Sequence, residues 1–167
     1  MAFTHGPIDG VIWKALSFYK DDRGWLTELY RNDDVPAEYR PVMAYVSMTN
    51  PGVARGPHEH VDQADYFCFI GPGVFRVYLW DARPKSPTFG HKEVKDAGDG
   101  APFALIVPPG VVHAYKNVSA GQGIVFNAAN ALYAGEGKKG WRGPKGSPDY
   151  VDEIRHEHVT DSEYKLD

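Results

Sequence analysis

Apolar residues in this chain fall into short runs between turn-forming segments. The runs are VIWKALSFY, WLTELYR, VMAYVSMT, YFCFIG, GVFRVYLWDA, FALIVPP, VVHAYKNV and GIVFNAANALY, each rich in aromatic and β-branched residues. Several alternate with period two, so that Phe75, Val77 and Leu79 share one side of a strand and Arg76, Tyr78 and Trp80 the other. Turn signals TNPG, GPG, DARPKSP, DAGDGAP and SAGQG separate them. The pattern predicts an all-β protein, a closed barrel or jelly roll. No long segment has a helical period, and a short helix is expected near VPAEYR. The strand-rich core is expected over about residues 10–135, followed by a polar C-terminal arm over about 141–167 that packs on the surface or on a partner.

Composition narrows the setting. With 167 residues and 43% hydrophobic content, the chain suits one domain, 1–167, around a single core. The formal charge of −4 carries no block of like charges, which argues against nucleic-acid and polybasic membrane partners. The first residues, MAFTHGPIDGVIWKALSFYKDD, lack a basic segment followed by a long apolar core, and no window approaches the length of a membrane span. A cytoplasmic protein is expected. The single cysteine, Cys68, lies in an apolar run and reads as a buried thiol without chemistry.

The chemistry concentrates in VARGPHEHVDQADYFCF, residues 53–69. Side chains at i and i+2 of a strand face one side, so His58 and His60 can converge on one point inside a barrel. Asp65 follows, and His113 comes after the tight turn of VPPGVVHAYKN. Three imidazoles and a carboxylate suit a divalent transition ion, with Fe, Mn, Zn and Ni not distinguished by the donor set. Taken alone, the histidine pair is weak evidence for a metal, because two strand histidines are commonly surface or hydrogen-bonded groups. Nothing in the sequence calls for an organic cofactor.

Two resemblances sharpen this reading. GVARGPHEHVDQAD resembles the first cupin motif, with Asp65 where cupins usually carry glutamate, and PPGVVHAYKN resembles the second, from Pro108 through Gly110 and His113 to Asn117. The cupin resemblance implies a double-stranded β-helix with short peripheral helices, and His58, His60, Asp65 and His113 as metal ligands. More closely, DDRGWLTELYR, GVARGPHEH, GVFRVYLWDARPKSPTFG, VPPGVVHAY and YAGEG are similar to the dTDP-4-dehydrorhamnose 3,5-epimerase family, over residues 18 to about 137. That likeness implies a nucleotide-sugar pocket reached by Asp21, Arg23, Glu28 and Arg55, with Arg55 meeting the diphosphate and His58 as base. It also implies a homodimer whose exchanged edge strands bring Glu28 or its neighbours to the partner's pocket.

Two groups of that family are replaced. Its lysine position holds Asp65, and its tyrosine acid aligns with Phe126. A divalent ion held by Asp65 and three neutral histidines would leave a net charge of about +1, the sign and size of the missing lysine. Tyr115 and Tyr133 are the remaining candidate proton donors. Without an ion, His113 and its neighbours would face the substrate. The reading is an epimerase or isomerase of a nucleotide-linked 4-keto-6-deoxy sugar; the alternative is a metal cupin acting on another small molecule, or a non-catalytic sugar-binding cupin.

Overall fold

The computed structural model describes residues 2–138, 152–157 and 159–167. Strands are labelled in chain order. Six form one sheet, in the spatial order β1 (Thr4–His5), β9 (His91–Gly98), β8 (Val74–Asp81), β11 (Val111–Asn117), β6 (Ala54–His60) and β13 (Glu153–Arg155). Five form the facing sheet, in the order β2 (Ile12–Ala15), β10 (Phe103–Val107), β7 (Asp65–Phe69), β12 (Gly123–Ala129) and β5 (Met43–Thr49). A separate hairpin joins β3 (Tyr19–Asp21) to β4 (Gly24–Leu26). This is the all-β jelly roll that the hydrophobic pattern predicts.

Strand alternation fills the space between the sheets. Phe67 and Phe69 of β7 meet Phe75, Val77 and Leu79 of β8 there, with Leu105, Tyr115 and Val125. Both outer faces are also covered, which explains why these strands read as nearly continuous apolar runs. Tyr66, Cys68 and Ile106 lie under Leu29, Tyr30 and Tyr39, while Tyr78 and Trp80 lie under Phe3, Tyr164 and Leu166. Cys68 is buried, and burial pushes its thiol up to about 12, in keeping with an inert thiol.

The structure amends three expectations. Of WLTELYR, only Trp25 and Leu26 stay in a strand, because Leu29 and Tyr30 leave the hairpin to cover the five-stranded sheet. VPAEYR forms one 3-10 turn, Ala37–Tyr39, and Glu136–Lys138 makes an irregular turn through Gly137 at φ +67°. Within the expected arm, residues 141–151 and 158 lie outside the described residues. The described rest does more than pack as a surface arm, because it contributes a strand: β13 adds to β6, and Tyr164 packs its ring 5.6 Å from that of Trp80. Among the described residues, no helix is long and apolar enough to cross a membrane.

Candidate active site

A cavity of about 920 Å³ opens between the two sheets, within the range of small-molecule pockets. The six-stranded sheet contributes Arg55, His58, His60 and Tyr115; the five-stranded sheet contributes Tyr45, Ser47 and Phe67.

A local irregularity puts Arg55 and His58 in the same cavity. In a regular strand, residues three apart point to opposite faces. Here His58 pairs with His113 and Arg55 with Tyr115, so three residues of β6 span two of β11. The extra residue is a β-bulge. Gly56 sits in it at φ +82°, and a Cβ there would come within 2.5 Å of the His113 carbonyl oxygen and 2.9 Å of His58 Nδ1. Only glycine fits. Arg55 is then held by Nε donating to Thr49 Oγ1 at 3.0 Å and Nη2 donating to the Met48 carbonyl at 2.8 Å.

Beside the cavity, His58, His60, Asp65 and His113 each bring one donor atom within 4.8 Å of the others. Three of them are oriented from behind. His60 Nδ1–H donates to Asp152 Oδ2 at 2.7 Å, and Asp152 Oδ1 accepts the backbone N–H groups of Asp62 and Gln63 at 2.8 and 3.3 Å. His113 Nδ1–H donates to the Val111 carbonyl at 3.0 Å. Asp65 Oδ1 accepts from the side-chain amides of Gln63 at 3.0 Å and Asn127 at 2.9 Å. What remains is His60 Nε2 and His113 Nε2, at 3.3 and 3.2 Å from Asp65 Oδ2.

This arrangement fits a divalent ion. Bonds of about 2.0–2.2 Å at tetrahedral angles separate donor atoms by roughly 3.3–3.6 Å, close to the 3.3 and 3.2 Å from Asp65 Oδ2 to His60 and His113, with all four donors within 4.8 Å of one another. With its Nδ1–H given to Val111, His113 turns Nε2 toward the Asp65 carboxylate, and that nitrogen is buried without a hydrogen bond. The outer hydrogen bonds to Asp152, Val111, Gln63 and Asn127 are the kind that fix ligand atoms toward a metal. The cluster could therefore hold a metal.

Electrostatics separates the histidines. Burial, then the neighbouring His113 and His60, push His58 down to about 2, so its imidazole is neutral. Burial also opposes charge on His60, but Asp152 and Asp65 outweigh it and bring the group up to about 10. Charged His60 donates to both carboxylates. Neutral His60 keeps its proton on Asp152 and turns its other nitrogen to the Gln63 amide at 3.2 Å, or to an ion. For Asp65, burial opposes the charged form but is outweighed by the His113 and His60 imidazoles that face it, which hold it well below the usual carboxylate range. His58 itself has no hydrogen bond among the described residues and faces the cavity.

The remaining sequence candidates divide. Tyr115 lines the cavity with its hydroxyl 3.3 Å from Ser47 Oγ, and Tyr133 stands at the mouth, 58% exposed. Arg23 and Glu28 line no part of this chain's cavity: Arg23 is 90% exposed beside Asp21, and Glu28 pairs with Arg31 at 3.5 Å. Phe126 points to the outer face of its sheet, and the inward residue is its neighbour Asn127. The sequence reading missed Tyr45, Gln63, Asn127, Asp152 and Arg155. Asn127 was detectable as a polar residue at an inward position of an apolar strand. Asp152, 92 residues from His60, gave no local signal.

Fold and site together define a cupin of the jelly-roll type, with its centre at the two motif histidines and His113. Residues 5–144 match the family model for dTDP-4-dehydrorhamnose 3,5-epimerase, and the chain belongs to that family of isomerases. Two curated relatives are the spore coat polysaccharide biosynthesis protein SpsL of Bacillus subtilis and a probable low-salt glycan biosynthesis epimerase of Haloferax volcanii. The first is 38% identical over 65% of this chain and 71% of that protein; the second is 33% identical over 72% and 77%. Among solved structures, a dTDP sugar isomerase from Desulfovibrio desulfuricans superposes at TM-score 0.72 with 20% identity, covering 89% of this chain and 84% of the other. The Legionella pneumophila dTDP-6-deoxy-D-glucose-3,5-epimerase, in complex with dTDP-4-keto-L-rhamnose, superposes at 0.71 with 20% identity, covering 93% and 77%. These two establish the shared fold.

Proposed function

We propose that the chain epimerises a nucleotide-linked 4-keto-6-deoxy sugar by removing and returning a proton at a carbon beside the ketone. The observation that carries this is His58: a neutral imidazole without a hydrogen-bond partner among the described residues, facing a cavity large enough for such a ligand. A proton acceptor must be unprotonated before it acts, and His58 is. The family membership and the sugar ligands named for its structural neighbours support the substrate class. Arg55 then takes the diphosphate through its planar fork. His60, charged between two carboxylates, is the cation at hand for the developing enolate.

One observation favours a second occupancy of the same centre, namely the buried, unbonded His113 Nε2 facing Asp65. His58, His60, Asp65 and His113 would hold a divalent transition ion, which would supply at the ketone oxygen the positive charge that the family's lysine supplies. An ion held through His58 uses the lone pair that proton transfer needs, so the two occupancies exclude each other.

The test is solvent exchange. Incubated in D2O with a dTDP-4-keto-6-deoxy sugar, the protein should wash deuterium into the position beside the ketone, and His58→Ala should abolish it. Binding without exchange would make it a sugar-binding cupin. Metal analysis after ion-replete growth decides the occupancy. About one ion per chain, lost in the His58→Ala/His113→Ala double variant, establishes the metal centre, and an ion-free wild type with full exchange leaves the proton-transfer reading.

A further inference from the structure

We infer that Tyr45 is the proton donor that works opposite His58. The inference rests on the proposed epimerisation and names the group that completes it.

Inversion at a carbon requires that the proton leave from one face and return to the other. A substrate lying between two sheets shows one face to each. His58 belongs to β6 of the six-stranded sheet, so a donor for inversion belongs on the five-stranded sheet. Tyr115 stands on β11, beside β6 in the sheet of His58, and its hydroxyl is tied to Ser47 Oγ at 3.3 Å. Tyr133 lies past the end of β12 and belongs to neither sheet. Tyr45 stands on β5, in the facing sheet, and lines the cavity.

The hydrogen bonds around Tyr45 fix where its own proton points. Asn127, paired with Tyr45 across β5 and β12, donates from Nδ2 to the Tyr45 hydroxyl at 2.8 Å and to Asp65 Oδ1 at 2.9 Å. The amide cannot turn over, because its oxygen would then face the Asp65 carboxylate. That orientation leaves Asn127 Oδ1 buried without a partner, an arrangement with a desolvation penalty that nothing local offsets. With its oxygen accepting from Asn127, Tyr45 keeps its O–H for another acceptor, and its side chain lines the cavity where a ligand would offer one. Tyr45 is 45% exposed as a residue, but burial around its hydroxyl, only partly offset by the Asn127 hydrogen bond, pushes the phenol up to about 12, so the proton is in place at neutral pH.

The proton accounting closes. His58 takes the proton from the carbon beside the ketone, leaving an enolate and an imidazolium. The Tyr45 O–H bond breaks as a new C–H bond forms on the other face, leaving a ketone and a phenolate that accepts the Asn127 N–H. The imidazolium releases its proton to solvent and the phenolate takes one up, restoring the starting state.

Tyr45→Phe in the full chain tests this, with a dTDP-4-keto-6-deoxy sugar in D2O as probe. Deuterium wash-in by His58 on its own face should stay within a few-fold of wild type. The inverted product should fall about 100-fold or more, the size of a lost general acid. Affinity for dTDP and the melting temperature should hold, which separates this outcome from damage to the barrel. Inversion at the wild-type rate overturns the inference, as does an equal loss of wash-in and inversion. If Tyr115→Phe or Tyr133→Phe shows the split instead, that residue is the donor and Tyr45 is not. Absence of wash-in by the wild type is a different failure, because it removes the epimerase reading itself.

Discussion

Arg55 has five N–H donors, and β5 takes two of them, through the Thr49 hydroxyl and the Met48 carbonyl. The others remain for a ligand. A guanidinium anchored this way loses little rotamer freedom on binding, which suits it to a diphosphate better than a free surface arginine would be. We expect Arg55→Ala to weaken binding of a dTDP-sugar by about 1.5 to 3 kcal/mol, the worth of a charge-assisted hydrogen bond. Affinity for the free sugar and metal content should stay near wild type, because Arg55 belongs neither to the four-residue cluster nor to the hydrogen bonds behind it. Calorimetric titration with both ligands checks this. Equal losses for the two would mean that removing the anchors to β5 had distorted the cavity, and the diphosphate assignment would fail.

At the scale of elements, the sequence is legible where burial is strong and obscure where pairing alone makes the strand. The runs around Phe67, Phe75, Leu105 and Val125 announce themselves because they are buried on one or both faces. HKEVKDAG gave no apolar run, yet forms eight residues of β9, most of them only half buried and held by the register with β8. β13 is shorter and more polar still, and its place beside β6 is a long-range pairing that composition cannot express. The site divides in the same way. Motif spacing revealed His58, His60, Asp65 and His113, and the structure brings all four together. It could not reveal the bulge at Gly56, without which Arg55 would point away from His58, nor the groups behind the cluster. Asp152, Gln63 and Asn127 act on ligands from elsewhere in the fold, through hydrogen bonds whose partners are set by register and chain return. The outward turn of Phe126 and the inward turn of Asn127 were hidden for a related reason: in a strand, a shift of one residue changes which face is meant.

For the whole molecule, the exposed apolar surface is unevenly placed. The β3–β4 hairpin carries Tyr19, Trp25 and Leu26, each more than half exposed, and β5, an edge strand, carries exposed Val46 and Met48. An open edge flanked by apolar side chains favours pairing with another chain. Arg23 and Glu28, tied by resemblance to the nucleotide-sugar pocket, sit on or just after that hairpin and away from this chain's cavity. All three observations are met by a homodimer in which the hairpin of one chain crosses β5 of the other and brings Arg23 and Glu28 to its partner's cavity, as a two-fold interface requires of both subunits. Sedimentation velocity at micromolar concentration should therefore show a species of twice the 18.5 kDa chain mass. Leu26→Asp, which puts a charge into the interface, should shift it toward the single-chain mass. It should also lower affinity for a dTDP-sugar, since Arg23 and Glu28 leave with the partner, while the melting temperature of the barrel stays close to wild type because Leu26 is 61% exposed in the single chain. A wild-type protein that sediments only at 18.5 kDa would return Arg23 and Glu28 to ordinary surface ion pairs with Asp21 and Arg31.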